Sequence, residues 1–221
     1  MIKTVKKIIS YIMVCVLFLS MCIPCEAAQT STATASDANA TTGFPQITST
    51  SAIIMDAQSG QIIYEKNSHT RQYPASITKI MTAYLAIKNG DLNSTITMSD
   101  AAVWGIDRNS SHIALDVGEE ISMSDALYAV MLMSANEAAW AIAEQVSGSL
   151  ENFVQLMNDT AQSLGCKDTH FTNANGLHDP DHYTTAYDMA RPRAWSCPSI
   201  WQPFWTRTGH RHGAWIFVLW V

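Results

Sequence analysis

A chain of 221 residues in which 48% are hydrophobic is long and apolar enough to bury a core, which excludes disorder throughout. Its formal charge of −6 at pH 7 offers no basic field for a polyphosphate, so nucleic-acid binding is excluded.

In chain order, Lys3, Lys6 and Lys7 precede an apolar run from Ile8 to Ile23, with small residues at Cys25 and Ala27. This is the pattern of a secretory signal peptide over residues 1–27, and it implies export. An uncleaved membrane anchor is the competing reading, and the run is a little short for the roughly 18 to 20 residues of a span. On that reading, membrane association would run through this region. Cys15, Cys22 and Cys25 lie within it, which leaves Cys166 and Cys197, too few for a disulfide framework or a cysteine metal site. Residues 28–46 are dominated by Ser, Thr and Ala and read as a flexible linker.

From residue 47 the pattern becomes that of a folded domain. Ser51–Met55 and Gln61–Tyr64 flank turn residues ending at Gly60, which predicts a β-hairpin. Ile77, Ile80, Met81, Tyr84, Leu85 and Ile87 recur at helical spacing up to Asn89-Gly90, so a helix starts close to Ser76. A short extended piece is expected at Thr95–Met98, a helix opened by Ser99-Asp100, and a strand at Ile113–Leu115.

Ser122 and Asp125 approximate a capping box before Ala126–Met133, which is apolar on nearly every side and predicts the buried central helix. Ser134-Ala135-Asn136 interrupts the helical pattern, which resumes from Glu137 to Val146. Leu150, Phe153, Val154, Met157, Ala161 and Leu164 form a last apolar stripe, closed by Gly165. Strands followed by a run of helices suggest a helical subdomain inserted into a sheet-based one.

Residues 191–221 differ in kind. They hold five of the seven Trp and four of the six Arg, with no Asp, Glu, Lys or Met. So abrupt a change reads as translation in a wrong frame, a tail foreign to the domain at 47–190.

Two short patterns carry chemistry. Ser76 and Lys79 are three apart at a helix start, so hydroxyl and amine occupy one face, near free backbone N–H groups that favour negative charge on oxygen. A lysine in a dry site loses its proton more easily and can accept one from the hydroxyl. Taken alone, a Ser cap followed by a solvated Lys explains the same spacing. Ser134 and Asn136 form a polar break between two apolar helical stretches, suited to relaying a proton and holding a substrate amide; a loop bonding to its own backbone is the alternative. His178-Asp179-Pro180-Asp181-His182 has zinc-compatible residue types but reads better as a polar loop before a helix capped by Thr185.

Together Ser76-x-x-Lys79 and Ser134-x-Asn136 resemble the serine penicillin-binding proteins, and specifically the low-molecular-weight D-alanyl-D-alanine carboxypeptidases of peptidase family S11. The likeness covers roughly residues 47–190. It includes Ala52–Gly60, Phe153–Asn158, Leu164-Gly165, Thr169–Asn173, Gly176-Leu177-His178 and Tyr183–Ala190. The resemblance implies an α+β fold of the DD-peptidase and β-lactamase kind, an antiparallel sheet flanked by helices with an inserted helical subdomain, incomplete here at the C-terminal end. It implies catalysis by Ser76, Lys79 and Ser134 with Asn136 binding substrate, no metal and no cofactor. Its partners would be peptidoglycan stem peptides and β-lactam antibiotics, met in the cell envelope outside the cytoplasmic membrane.

The family's third motif, Lys-Thr-Gly, does not occur in this sequence. Arg207-Thr208-Gly209 lies too close to Ser76 for the family spacing, and inside the anomalous tail, so it is not taken as the equivalent. A catalytically defective wall-associated protein is therefore the second reading. A β-lactamase is another alternative, disfavoured because no Glu stands between Phe171 and Asp188 to activate a deacylating water.

Overall fold

The computed structural model describes residues 47–56 and 59–190. The expectations for a signal peptide at 1–27, a linker at 28–46 and a foreign tail at 191–221 fall outside the described residues.

The expected hairpin forms from β1 (Ala52–Met55) and β2 (Ile62–Lys66), antiparallel, with Ile53 opposite Glu65 and a register shift between Ile54 and Met55. Asp56 shapes the turn by accepting the Ser59 N–H on its side chain at 2.7 Å and the Gly60 N–H on its carbonyl at 2.8 Å. Ile53 and Met55 are buried against Ala186 and Ala190 of the short helix α6 (Ala186–Ala190), while Ile62 and Ile63 of β2 face solvent.

A 3₁₀ turn at Ala75–Ile77 leads into α1 (Thr78–Asn89), followed by β3 (Thr95–Thr97) and α2 (Asp100–Trp104), which Ser99 caps through its side chain. No strand forms at Ile113–Leu115. Ala114 adopts φ +63° there, and the Ile113 and Ala114 N–H groups bond to the Glu137 and His112 side chains instead of to a neighbouring strand. The partner of β3 is β4 (Glu120–Ser122), with Ile96 opposite Ile121.

Ser122 then opens α3 (Met123–Met133), its hydroxyl accepting the Asp125 N–H and donating to the Asp125 carboxylate. The all-round apolar sequence of α3 predicts the most buried helix, and this is corrected by the structure: Met123, Ala126, Leu127 and Val130 are buried, but Leu132 and Met133 are 76% and 61% exposed. The central place belongs to α4 (Asn136–Ser147), which packs against α1, α2, α3 and the following helix α5 (Leu150–Ser163). Ala138, Ala139, Ala141 and Ala143 are all buried, and such small side chains let the neighbouring helices approach closely. Phe153 and Met157 of α5 complete a second cluster with Met81, Leu85 and Phe171; burial of each large side chain contributes about 1.5 to 3 kcal/mol.

Main-chain pairs hold the chain after α5, one to the segment before α1 and one within itself. Gln72 exchanges hydrogen bonds with Thr184 (2.8 and 2.9 Å), and His170 does so with Tyr183 (2.8 and 3.0 Å). Thr185 caps α6 by accepting the Asp188 N–H at 3.0 Å, as the sequence predicts.

Candidate active site

The site lies where three chain breaks converge: the turn before α1, the break between α3 and α4, and the 172–182 segment. Ala75 is forced to φ +47°, a conformation that costs a residue with a Cβ roughly 1 to 2 kcal/mol. The next residue, Ser76, is presented on an exposed turn. Gly176 lies directly beneath it: a Cβ at that position would stand 1.8 Å from the Ala75 carbonyl oxygen, so only glycine permits this approach.

Ser134 ends α3 in the left-handed region, φ 57° and ψ 32°. That bend aims its hydroxyl at the turn, where it donates to Ser76 Oγ at 3.0 Å. The two serines come together as expected, but Ser76 is bonded to Ser134 and not to Lys79. Lys79 instead donates from Nζ to Asn136 Oδ1 and to the Asn175 carbonyl, each at 2.6 Å.

Lys79 is 3% exposed. Burial pulls its amine down to about 8, opposed by the charge of Glu137. Two carbonyl-type acceptors match the two N–H bonds of a neutral amine and leave its lone pair for a third group.

Asn136 is used at both ends of its amide. Oδ1 receives Lys79, Nδ2 donates to Ser110 Oγ at 2.8 Å, and the backbone N–H donates to the Ser111 carbonyl at 2.9 Å. The sequence reading gave Asn136 a substrate amide; here it also orients the amine. All four expected residues, Ser76, Lys79, Ser134 and Asn136, therefore belong to one cluster.

Several contributors were not legible in the sequence. The Asn175 carbonyl is one, fixed because Asn173 Oδ1 accepts the Asn175 and Gly176 N–H groups (3.2 and 2.6 Å) while Asn175 Oδ1 accepts the Leu177 N–H (3.0 Å). Asn173-x-Asn175-Gly176 was the available signal, since Asn and Gly together mark a tight turn.

His182 is another, read from sequence as part of a polar loop but only 2% exposed in the structure. Its Nδ1 accepts the Thr172 N–H at 3.0 Å, so Nε2 carries the hydrogen and donates to Thr78 Oγ1 at 2.8 Å. Burial lowers this imidazole to about 4, which keeps it neutral and tied to the residue beside Lys79.

Known proteins resemble this chain over most of its described residues. The model of the D-alanyl-D-alanine carboxypeptidase family Peptidase_S11 matches residues 36–196. The chain is 43% identical over 154 residues to D-alanyl-D-alanine carboxypeptidase DacA of Haemophilus influenzae, covering 66% of this chain and 38% of that protein. It is 41% identical over 143 residues to DacF of Bacillus subtilis, covering 63% and 36%. Among solved structures, penicillin-binding protein 5 from Haemophilus influenzae superposes with a TM-score of 0.66 at 38% identity, over 72% of this chain and 48% of that one. The chain thus spans well under half the length of these curated relatives. The superposition fixes the fold as that of the DD-peptidases, in agreement with the α+β expectation.

Proposed function

The chain belongs to the D-alanyl-D-alanine carboxypeptidase family of peptidase S11, and from that premise we propose that it carries the acylating half of a serine carboxypeptidase site acting on peptidoglycan stem peptides. The observation that carries the reading is the convergence of Ser76, Ser134, Asn136 and a buried Lys79 whose amine lies near 8.

In this reading Ser76 Oγ attacks the carbonyl carbon of the penultimate D-Ala, and its proton passes to the Lys79 amine. Ser134 relays a proton to the nitrogen of the terminal D-Ala as the C–N bond breaks. An ester on Ser76 remains, and water hydrolyses it. Asn136 Nδ2 has two hydrogens; Ser110 takes one, and the other is the donor for a substrate amide. A β-lactam, itself a reactive amide, would acylate the same oxygen. The place of action is the cell envelope, outside the cytoplasmic membrane.

The second reading is a catalytically defective wall-associated protein. A fluorescent penicillin and a diacyl-D-Ala-D-Ala peptide distinguish the two. The proposal expects covalent labelling of the full chain, abolished in Ser76→Ala, together with release of D-Ala. Labelling without release favours the second reading, and labelling retained in Ser76→Ala removes Ser76 as the nucleophile.

A further inference from the structure

We propose that Glu137 is a positioning residue of this site, holding the 107–115 loop with one carboxylate oxygen and setting through its charge the proton affinity of Lys79, an inference that rests on the acylation reading above. Glu137 follows Asn136 on the first turn of α4, where a negative charge is favoured, and it is fully buried. Its Oε1 accepts the Ile113 N–H at 2.6 Å. Its Oε2 is buried with no hydrogen-bond partner among the described residues.

A buried carboxylate with one oxygen unbonded is costly unless a charge compensates it. Glu137 touches no charge partner among the described residues, but it adjoins Asn136, which accepts a hydrogen bond from the Lys79 amine, and its charge opposes the effect of burial at Lys79. On the 107–115 loop, Asp107 accepts the Asn109 N–H at 2.8 Å and His112 Nε2 meets the Arg108 carbonyl at 3.1 Å. The Arg108 guanidinium lies over the Trp104 ring at 5.4 Å with its Nη1 buried and without a hydrogen-bond partner among the described residues, so Arg108 is a second cation in the loop that Glu137 holds. The 173–177 loop has no ionisable side chain. His182 is neutral and bonded to Thr78. Glu144, the other carboxylate of α4, stands about two turns away and is bonded to Trp140 Nε1 at 3.0 Å.

The Ile113 tether has its own consequence. Ser110 and Ser111, which receive the Asn136 side chain and backbone, lie just before Ile113 in the same loop. Adjacent residues of one helical turn, Asn136 and Glu137, thus clamp the loop at three points, Ser110, Ser111 and Ile113, and hold the amide that orients Lys79.

The test is an NMR titration of the Lys79 amine in the ¹⁵N-lysine-labelled full chain, with the signal assigned by Lys79→Met. Glu137→Gln keeps an oxygen for Ile113 but removes the charge. It should lower the Lys79 titration by about one pH unit and leave the Ile113 amide protected from hydrogen exchange. Glu137→Ala should lower the titration equally and speed Ile113 exchange by roughly tenfold or more.

An unmoved Lys79 titration in Glu137→Gln overturns the proposal, and this holds even if Glu137→Ala does not fold. Benzylpenicillin acylation in the same samples should show its acidic limb displaced by the same interval. A wild-type chain that does not acylate would defeat the acylation reading, while the Lys79 titration, which needs no turnover, still decides the role of Glu137.

Discussion

Gly176→Ala tests whether the Ser76 turn is held in place by backbone contact. Gly176 sits at φ +83°, and an added Cβ would lie 1.8 Å from the Ala75 oxygen, 2.4 Å from the Ala75 carbonyl carbon and 3.0 Å from Thr78 Oγ1. Two of these three atoms are backbone and cannot rotate away. Restoring an ordinary C···O separation of about 3.3 Å requires the two segments to part by roughly 1.5 Å. The left-handed φ alone costs an alanine about 1 to 2 kcal/mol, and with the displacement the total should reach about 3 to 5 kcal/mol.

Gly148→Ala supplies the control, because Gly148 has φ +79° but open space around its Cα. It should show the conformational cost alone. Urea unfolding of both variants and the wild type measures the difference. Displacing Ala75 also displaces Ser76, so penicillin acylation of the folded Gly176→Ala fraction should fall by about 10². Equal destabilisation by Gly176→Ala and Gly148→Ala, with acylation unchanged, would refute the argument.

Two further changes probe the surroundings of the site. His182 titrates near 4 in the fold against 6.5 when free, so the unfolded chain binds the extra proton between these values, and stability should be lost as pH falls from 6.5 toward 4. The full interval corresponds to about 3 kcal/mol; urea unfolding across this range should show the loss and His182→Gln should flatten it, whereas parallel slopes would contradict the assignment. Asn158 accepts the Phe171 N–H at 2.8 Å and donates to the Phe171 carbonyl at 2.9 Å. Asn158→Ala leaves both groups without partners next to a side chain that is 1% exposed, and should lower stability by about 2 to 4 kcal/mol in a thermal melt. Asn158→Asp, which keeps the acceptor, should cost less.

The amino-acid pattern determined most of the local structure. The hairpin at 52–66, the helix after Ser76, the Ser99, Ser122 and Thr185 caps and the break at Ser134 follow from turn residues, helical spacing and side chains that bond their own backbone. Such signals act over a few residues. Ser76, Lys79, Ser134 and Asn136 could be singled out for the same reason, as polar residues at helix ends matching motifs of one family, and their catalytic roles are the proposal above.

Pairings between distant segments were decided only by the tertiary structure. The apolar composition of α3 pointed to the centre, yet the alanine-rich α4 occupies it, because close approach depends on side-chain size on the facing helices. Ile113–Leu115 had strand-like residues, but the carboxylate of Glu137, 24 positions later, takes the Ile113 N–H. Lys79 lies one helical turn from Ser76 in sequence, yet its hydrogen bonds go to Asn136 and Asn175, far along the chain. A buried amine takes whatever acceptors the packing brings to it, and sequence spacing does not encode which those are.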